Sequence, residues 1–210
     1  MRTVKTAEER KNEILDAADE LFTNKGFDGT TTEDILARVG IARGTLYYHF
    51  KSKAAIMDAL IERYNERLLT TAKEIAADQS IPILERIGRV VLSLNLSGES
   101  SEVIMNHIHQ PQNALMHQKL QPIVINGLTP IISDIIHEGI EQGVFNTPYP
   151  YEAVEMLVVY TNVVFDDEMI DMTPESLANR IKAFILHAEK LLGAEQGSFS
   201  YLMEVFNRNS

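Results

Sequence analysis

With 210 residues, 45% of them hydrophobic, the chain is long enough for one large or two small cored domains. It has no cysteine, which excludes a disulfide framework and thiol chemistry. A formal net charge of −11 argues at face value against a nucleic-acid partner. No apolar run approaches the roughly 20 residues of a membrane span, and MRTVKTAEERK lacks the apolar stretch of a signal peptide, so a cytoplasmic protein with no membrane partner is expected.

The acid is unevenly placed. Residues 1–53 carry nine basic and nine acidic side chains, whereas 54–210 carry ten and 21, which is the whole imbalance. Screening confines charge effects to about 8 Å at physiological salt. A locally positive face on an acidic body is therefore compatible with DNA.

The first helix is predicted over 6–25, where Thr6 and Glu9 have capping-box spacing and Ile14, Leu15, Ala18, Leu21 and Phe22 recur at helical period. Gly26 ends it, and Phe27 opens a loop and packs inward. Thr31 or Thr32 caps a second helix, with Glu33 and Asp34 where the helix dipole favours carboxylates and Ile35, Leu36 and Val39 on one apolar face. Gly40 stops it. After a turn at Ile41 and Ala42, a third helix from about Arg43 to Phe50 buries Leu46 and Phe50 and leaves Arg43, Gly44, Thr45 and Tyr48 outward. This is a helix-turn-helix whose second member is the reading helix.

Ser52 can cap a fourth helix over Lys53 to Ala77, roughly 37 Å long, with Ile56, Leu60, Tyr64 and Leu68 on one face. Ser80 and Pro82 open a fifth, ILERIGRVVLSLNL, and a short one is expected at 101–109, cut at Pro111. Pro122, Gly127 and Pro130 interrupt the helical pattern of 112–142, giving a short helix near 112–120 and a longer one near 123–142. Then come a helix at about 150–167 and another capped by Thr173, started by Pro174 and closed by Gly193, with a tail helix near 197–206. No stretch keeps a two-residue alternation. The expected fold is all-α with nine to ten helices: a DNA-binding domain at 1–52 and a helical effector-binding and dimerisation domain at 53–210.

The segment TTTEDILARVGIARGTLYYHFKSK (30–53) resembles the N-terminal signature of the TetR family of bacterial one-component transcription regulators. Its T-L-Y-x-H-F-x-x-K core stands as Thr45, Leu46, Tyr47, Tyr48, His49, Phe50 and Lys53. Beyond residue 55 the likeness is one of length and helical pattern. The resemblance implies a sequence-specific regulator, usually a repressor, that binds a palindromic double-stranded DNA operator as a homodimer and is released by a small-molecule effector.

Chemistry supports the same positions. Arg43 can donate two parallel bonds to guanine O6 and N7, a pair that discriminates by about 1–3 kcal/mol. Gly44 lets the backbone approach, Thr45 offers a hydroxyl and a methyl, and Tyr48 can lay its ring on bases or sugars. Thr32, at a helix N-terminus, suits a phosphate, and Tyr47, His49 and Lys53 match the family's backbone-contacting positions. Arg38 reads as a solvated helix charge.

One reading helix covers too few base pairs for a genomic site, so a second copy is implied. The expected dimer surface is the pair of C-terminal helices, through Leu157 and Thr161 on one and Ile181, Phe184, Ile185 and Ala188 on the other, in a four-helix bundle. The same stripes could instead close the monomer core. Met105, His109, Met116, Tyr160, Asn162 and Phe165 are candidates for the effector pocket that the resemblance places in residues 80–165, although each equally suits a core.

No metal or other cofactor is expected. On a helix His107 and His109 point about 200° apart, and His109 and His117 lie roughly 12 Å apart along the axis. Nor is an enzyme: there is no Gly-x-Ser-x-Gly, phosphate loop or zinc-type histidine spacing.

Overall fold

The computed structural model describes residues 5–96, 114–165 and 173–203. These form eight helices and no strand: α1 (Ala7–Gly29), α2 (Thr32–Val39), α3 (Arg43–His49), α4 (Lys53–Ala77), α5 (Ile83–Leu96), α6 (Ala114–Glu141), α7 (Pro150–Val164) and α8 (Pro174–Leu192). The short helix expected at 101–109 lies outside the described residues. Of the expected tail helix, turns run to Tyr201 and helical residues begin at Leu202, with the remainder outside.

Contacts divide the chain into two compact units. The first takes the residues up to Glu66 together with 114–120, and the second takes those from Arg67 to the end of α5 together with those from Gln121 onward. Both α4 and α6 therefore contribute to each, and the contact division falls inside α4 rather than at its start.

In the first unit the local signals act as expected. Thr6 and Glu9 form a reciprocal capping box: the Thr6 amide donates to Glu9 Oε2 at 2.6 Å and the Glu9 amide to Thr6 Oγ1 at 3.2 Å. Gly26 breaks α1 at φ 73°, ψ 167°. Of the two candidate threonines it is Thr31 that caps α2, accepting from the Asp34 amide at 3.1 Å while its own amide donates to Asp34 Oδ2 at 2.9 Å. Gly40 takes the left-handed conformation (φ 72°, ψ 39°) that lets the chain turn sharply into α3. Ile14, Phe22, Ile35, Leu46, Phe50, Ile56, Leu60 and Met116 are buried. Phe27 packs on Phe22 with ring centroids 5.4 Å apart. Between α1 and α4, Arg63 pairs with Asp16 at 2.6 Å and the Tyr64 hydroxyl donates to Asp19.

In the second unit one expectation is corrected. Residues 114–141 form a single helix, not two, with Pro122 and Pro130 inside it. Both prolines are exposed, as are Gln118 and Asn126, whose carbonyls lose an amide donor. On that solvent side the orphaned acceptors can turn to water, so the helix continues. Gly127 does not interrupt the helix either; it allows a close approach, because a Cβ there would lie 2.3 Å from Leu69 Cδ1. By length and composition α6 could cross a membrane, but Leu128, Ile131, Ile132, Ile135 and Ile136 are buried in the same cluster as Leu69, Ile87, Val154 and Ile181, as in the core helix of a globular unit. Arg86, nearly fully buried, ties three segments together. Its guanidinium donates to Ala76 O at 3.2 Å, to Ile81 O at 3.2 Å and to Glu138 Oε2 at 2.5 Å, and it holds the Glu138 carboxyl below the usual carboxylate range.

Asp34 gives the fold a pH signature. Hydrogen bonds from the Thr31 hydroxyl and amide, and then from Lys25, hold its carboxyl well below the ordinary aspartate range. A depressed folded-state value means that the stabilisation is complete above the unfolded value near 4 and is lost as pH falls through the folded one. Asp34→Ala should lower the melting temperature by a few degrees at pH 7. Thermal melts should show that gap closing in the strongly acidic range, below pH 4.

Candidate nucleic-acid interface

The candidate interface is α3, a helix of seven residues that has buried Leu46 beneath it and Phe50 at its end. With those two directed inward, Arg43, Gly44 and Tyr48 are exposed and Thr45 is half-exposed. Tyr48 is 75% exposed, the most exposed of the large apolar side chains among the described residues. Its ring meets His49 edge-on at 5.0 Å. Nothing lies within 4 Å of a Cβ built on Gly44, so that face is open.

Arg43 is not solitary. Its Nη2 donates to Oε1 of Glu33, which stands in the first turn of α2, and both side chains are more than half exposed. The Glu33 carboxyl is held below its ordinary range, first by its own amide and then by Arg43 and Thr32. Thr32 occupies the first position of α2, not the cap, and its hydroxyl donates to Glu33 Oε2 at 3.0 Å. Arg38 pairs with Glu20 at 2.5 Å on the surface. Tyr47 is 38% exposed and His49 is half-buried.

Lys53 differs from the other residues expected at phosphate. Its ammonium turns inward, donating to Phe27 O at 2.5 Å and to Thr30 O at 2.7 Å, and it lies 4.2 Å from the centroid of the Phe27 ring. Those carbonyls belong to the end of α1 and the loop before α2, where Phe27 O also accepts from the Thr30 amide at 3.3 Å. Lys53 thus closes that loop onto the start of α4. Nothing in the sequence marked this, because the pairing spans 26 residues.

The residues expected at the subunit interface are buried or half-buried, and the described ones expected at the pocket range from buried to exposed. Ile181, Ile185 and Ala188, expected to meet a partner, are buried within the subunit. Leu157 and Thr161 are half-buried, the latter donating its hydroxyl to Val158 O at 2.9 Å. Of the exposed apolar side chains of α7 and α8, Met156 (62% exposed), Val159, Tyr160 and Leu186 lie beside those positions in sequence. Phe184 is stacked on Tyr160 at 5.6 Å and meets Phe165 edge-on at 5.7 Å, so one aromatic cluster unites residues assigned to two sites.

Met116 is fully buried in the first unit, while Asn162, in the second, donates to Val158 O at 2.9 Å and its carbonyl accepts from Gln121. Met105 and His109 lie outside the described residues. An open groove of about 560 Å³ is lined by Tyr160 and Ala183 with polar Thr173, Ser176, Asn179 and Arg180. Among the described residues no three His, Asp or Glu side chains gather as a metal site would require.

A short helix held from beneath and open along its outer face, preceded by a capped helix and a glycine turn, defines a helix-turn-helix protein. Residues 14–60 match the family model of bacterial regulatory proteins, tetR family, and residues 97–186 match a tetracyclin repressor-like C-terminal domain. The chain belongs to the TetR family.

Relatives include the HTH-type transcriptional regulator TtgR of Pseudomonas putida, 26% identical over 57% of this chain and 55% of TtgR. Another is the HTH-type transcriptional repressor KstR2 of Mycobacterium tuberculosis, 27% identical over 65% and 69% of the two chains. The matched region thus spans about half of TtgR and two thirds of KstR2. The crystal structure of RolR in complex with resorcinol shares the fold, with a TM-score of 0.59 at 15% identity, covering 96% of this chain and 95% of that one.

The Lys53 contacts lead to a stability prediction. Lys53→Met keeps the stem and removes both bonds, so denaturant unfolding should show a loss of about 1–3 kcal/mol. A midpoint equal to the parent's would contradict the assignment.

Proposed function

We propose that the protein is a sequence-specific DNA-binding transcriptional regulator, a repressor whose operator affinity falls when a small-molecule effector binds its helical body. The observation that carries this is the outward face of α3: an arginine, an unobstructed glycine, a threonine and a solvent-exposed tyrosine over a buried Leu46 and Phe50. Arg43, Gly44, Thr45 and Tyr48 read base edges in the major groove, where every base pair offers a distinct pattern. Thr32, through its backbone N–H at the start of α2, contacts phosphate together with Tyr47 and His49, and these set the register. Lys53 serves that placement indirectly, since its donors are held by protein carbonyls. The functional boundary lies at the start of α4, with residues 1–52 binding DNA and 53–210 serving the effector and the partner.

The protein works in the cytoplasm as a homodimer on a palindromic site. Met156, Val159, Tyr160 and Leu186 form the centre of the interface, because they are apolar and exposed on the two helices α7 and α8. The effector is held among the helices of residues 80–165, with the aromatic cluster of Tyr160, Phe165 and Phe184 at one wall. Its occupancy changes the spacing of the two reading helices, and DNA affinity follows by linkage.

Two experiments test the reading. In gel shifts with the promoter region beside the protein's own gene, Arg43→Ala and Tyr48→Ala should fold and dimerise yet lose specific binding, Arg43→Ala by about 1–3 kcal/mol. Retained affinity in both would rule the base-reading assignment out. In light scattering, Met156→Glu with Leu186→Glu should convert a dimer to a monomer and abolish operator binding; a parent that is already monomeric would refute the paired arrangement.

A further inference from the structure

We propose that Glu33 is a specificity-determining residue: its carboxylate holds the Arg43 guanidinium so that the arginine reads guanine without adding attraction to arbitrary DNA. This rests on the reading of Arg43 given above. The pair bridges α2 and α3 on the face left open for the duplex. Glu33 is itself fixed, since its second oxygen accepts from the Thr32 hydroxyl at 3.0 Å and it stands in the first turn of a helix whose dipole favours an anion.

A guanidinium has five donors in a rigid fork. One Nη can stay on Glu33 Oε1 while other N–H groups meet O6 and N7 of guanine, so the carboxylate sets the plane of the fork instead of competing for it. A phosphate is a different case. A guanidinium can bond phosphate in the same forked way, but phosphate is an anion whereas guanine O6 and N7 are uncharged, so Glu33 offsets the attraction of the Arg43 cation and repels the phosphate itself. The pair therefore withholds the sequence-independent part of Arg43's binding and leaves the directional part intact. In a chain whose net charge of −11 already lowers non-specific binding, Glu33 places the same restraint at the contact itself.

The test is a double-mutant cycle read as the ratio of affinities for two duplexes by fluorescence anisotropy. One duplex carries the promoter region beside the protein's own gene, and the other is its scrambled counterpart. With Arg43 present, Glu33→Gln should tighten the scrambled duplex about three- to tenfold and steepen its salt dependence by up to about one ion. Binding to the promoter duplex should change by less than twofold, so the ratio falls several-fold. In the Arg43→Ala background, Glu33→Gln should shift both duplexes alike and leave the ratio unchanged. A ratio indifferent to Glu33→Gln with Arg43 present overturns the proposal, as does an equal fall without it. Arg43→Ala alone leaving promoter affinity intact would instead overturn the reading beneath it. Both side chains are exposed and neither packs in the core, and circular dichroism checks that each variant folds.

Discussion

A helix of seven residues does not persist alone in water, because the nucleation penalty needs more turns than that to be repaid. The outward face of α3 therefore exists only through what is beneath it. Leu46 and Phe50 are buried beneath and beyond it, in a unit that also buries Ile14, Phe22, Ile56 and Leu60. No side chain caps its start, so it has no local support at that end. Tertiary burial fixes the helix, and the fixed helix holds Arg43 and Tyr48 in place for a rigid partner such as a duplex.

Polar ties complete the frame. The inward ammonium of Lys53 joins the start of α4 to the carbonyls that end α1, and Arg63 and Tyr64 reach from α4 back to Asp16 and Asp19. The Arg63–Asp16 pair, with its carboxylate 70% exposed, contributes little stability by itself. The effect of these ties is geometric: they hold α4 to α1. In the second unit Arg86 does similar work at greater depth, satisfying carbonyls of Ala76 and Ile81 and the Glu138 carboxylate at once.

Charge is distributed in the same spirit. The amino-terminal quarter is neutral and the rest carries the whole excess of acid, so in the proposed function long-range attraction to DNA is weak and recognition rests on short-range contacts. The Glu33–Arg43 pair carries that balance down to two exposed side chains of α2 and α3. In the second unit, α7 and α8 bury one side in its core and expose Met156, Val159, Tyr160 and Leu186. Exposed apolar side chains beside a buried face suit these helices to being covered a second time.

The sequence by itself determined the helical class, the caps at Thr6 and Thr173, the stop at Gly40, and the inward pair Leu46 and Phe50 that leaves Arg43 and Tyr48 outside. These are local signals, carried within one turn of the residue concerned, and α8 begins at Pro174 and ends at Leu192 as expected from them. Tertiary structure decided what depends on distant partners. Pro122 and Pro130 stay within one helix because that side faces solvent, and Gly127 serves a contact with Leu69. Ile181, Ile185 and Ala188 went to the core while Leu186 stayed outside, a choice that a wide apolar stripe leaves open until its neighbours are placed. Lys53 bonds to carbonyls 23 and 26 residues away, and no periodicity in the chain records a pairing of that span.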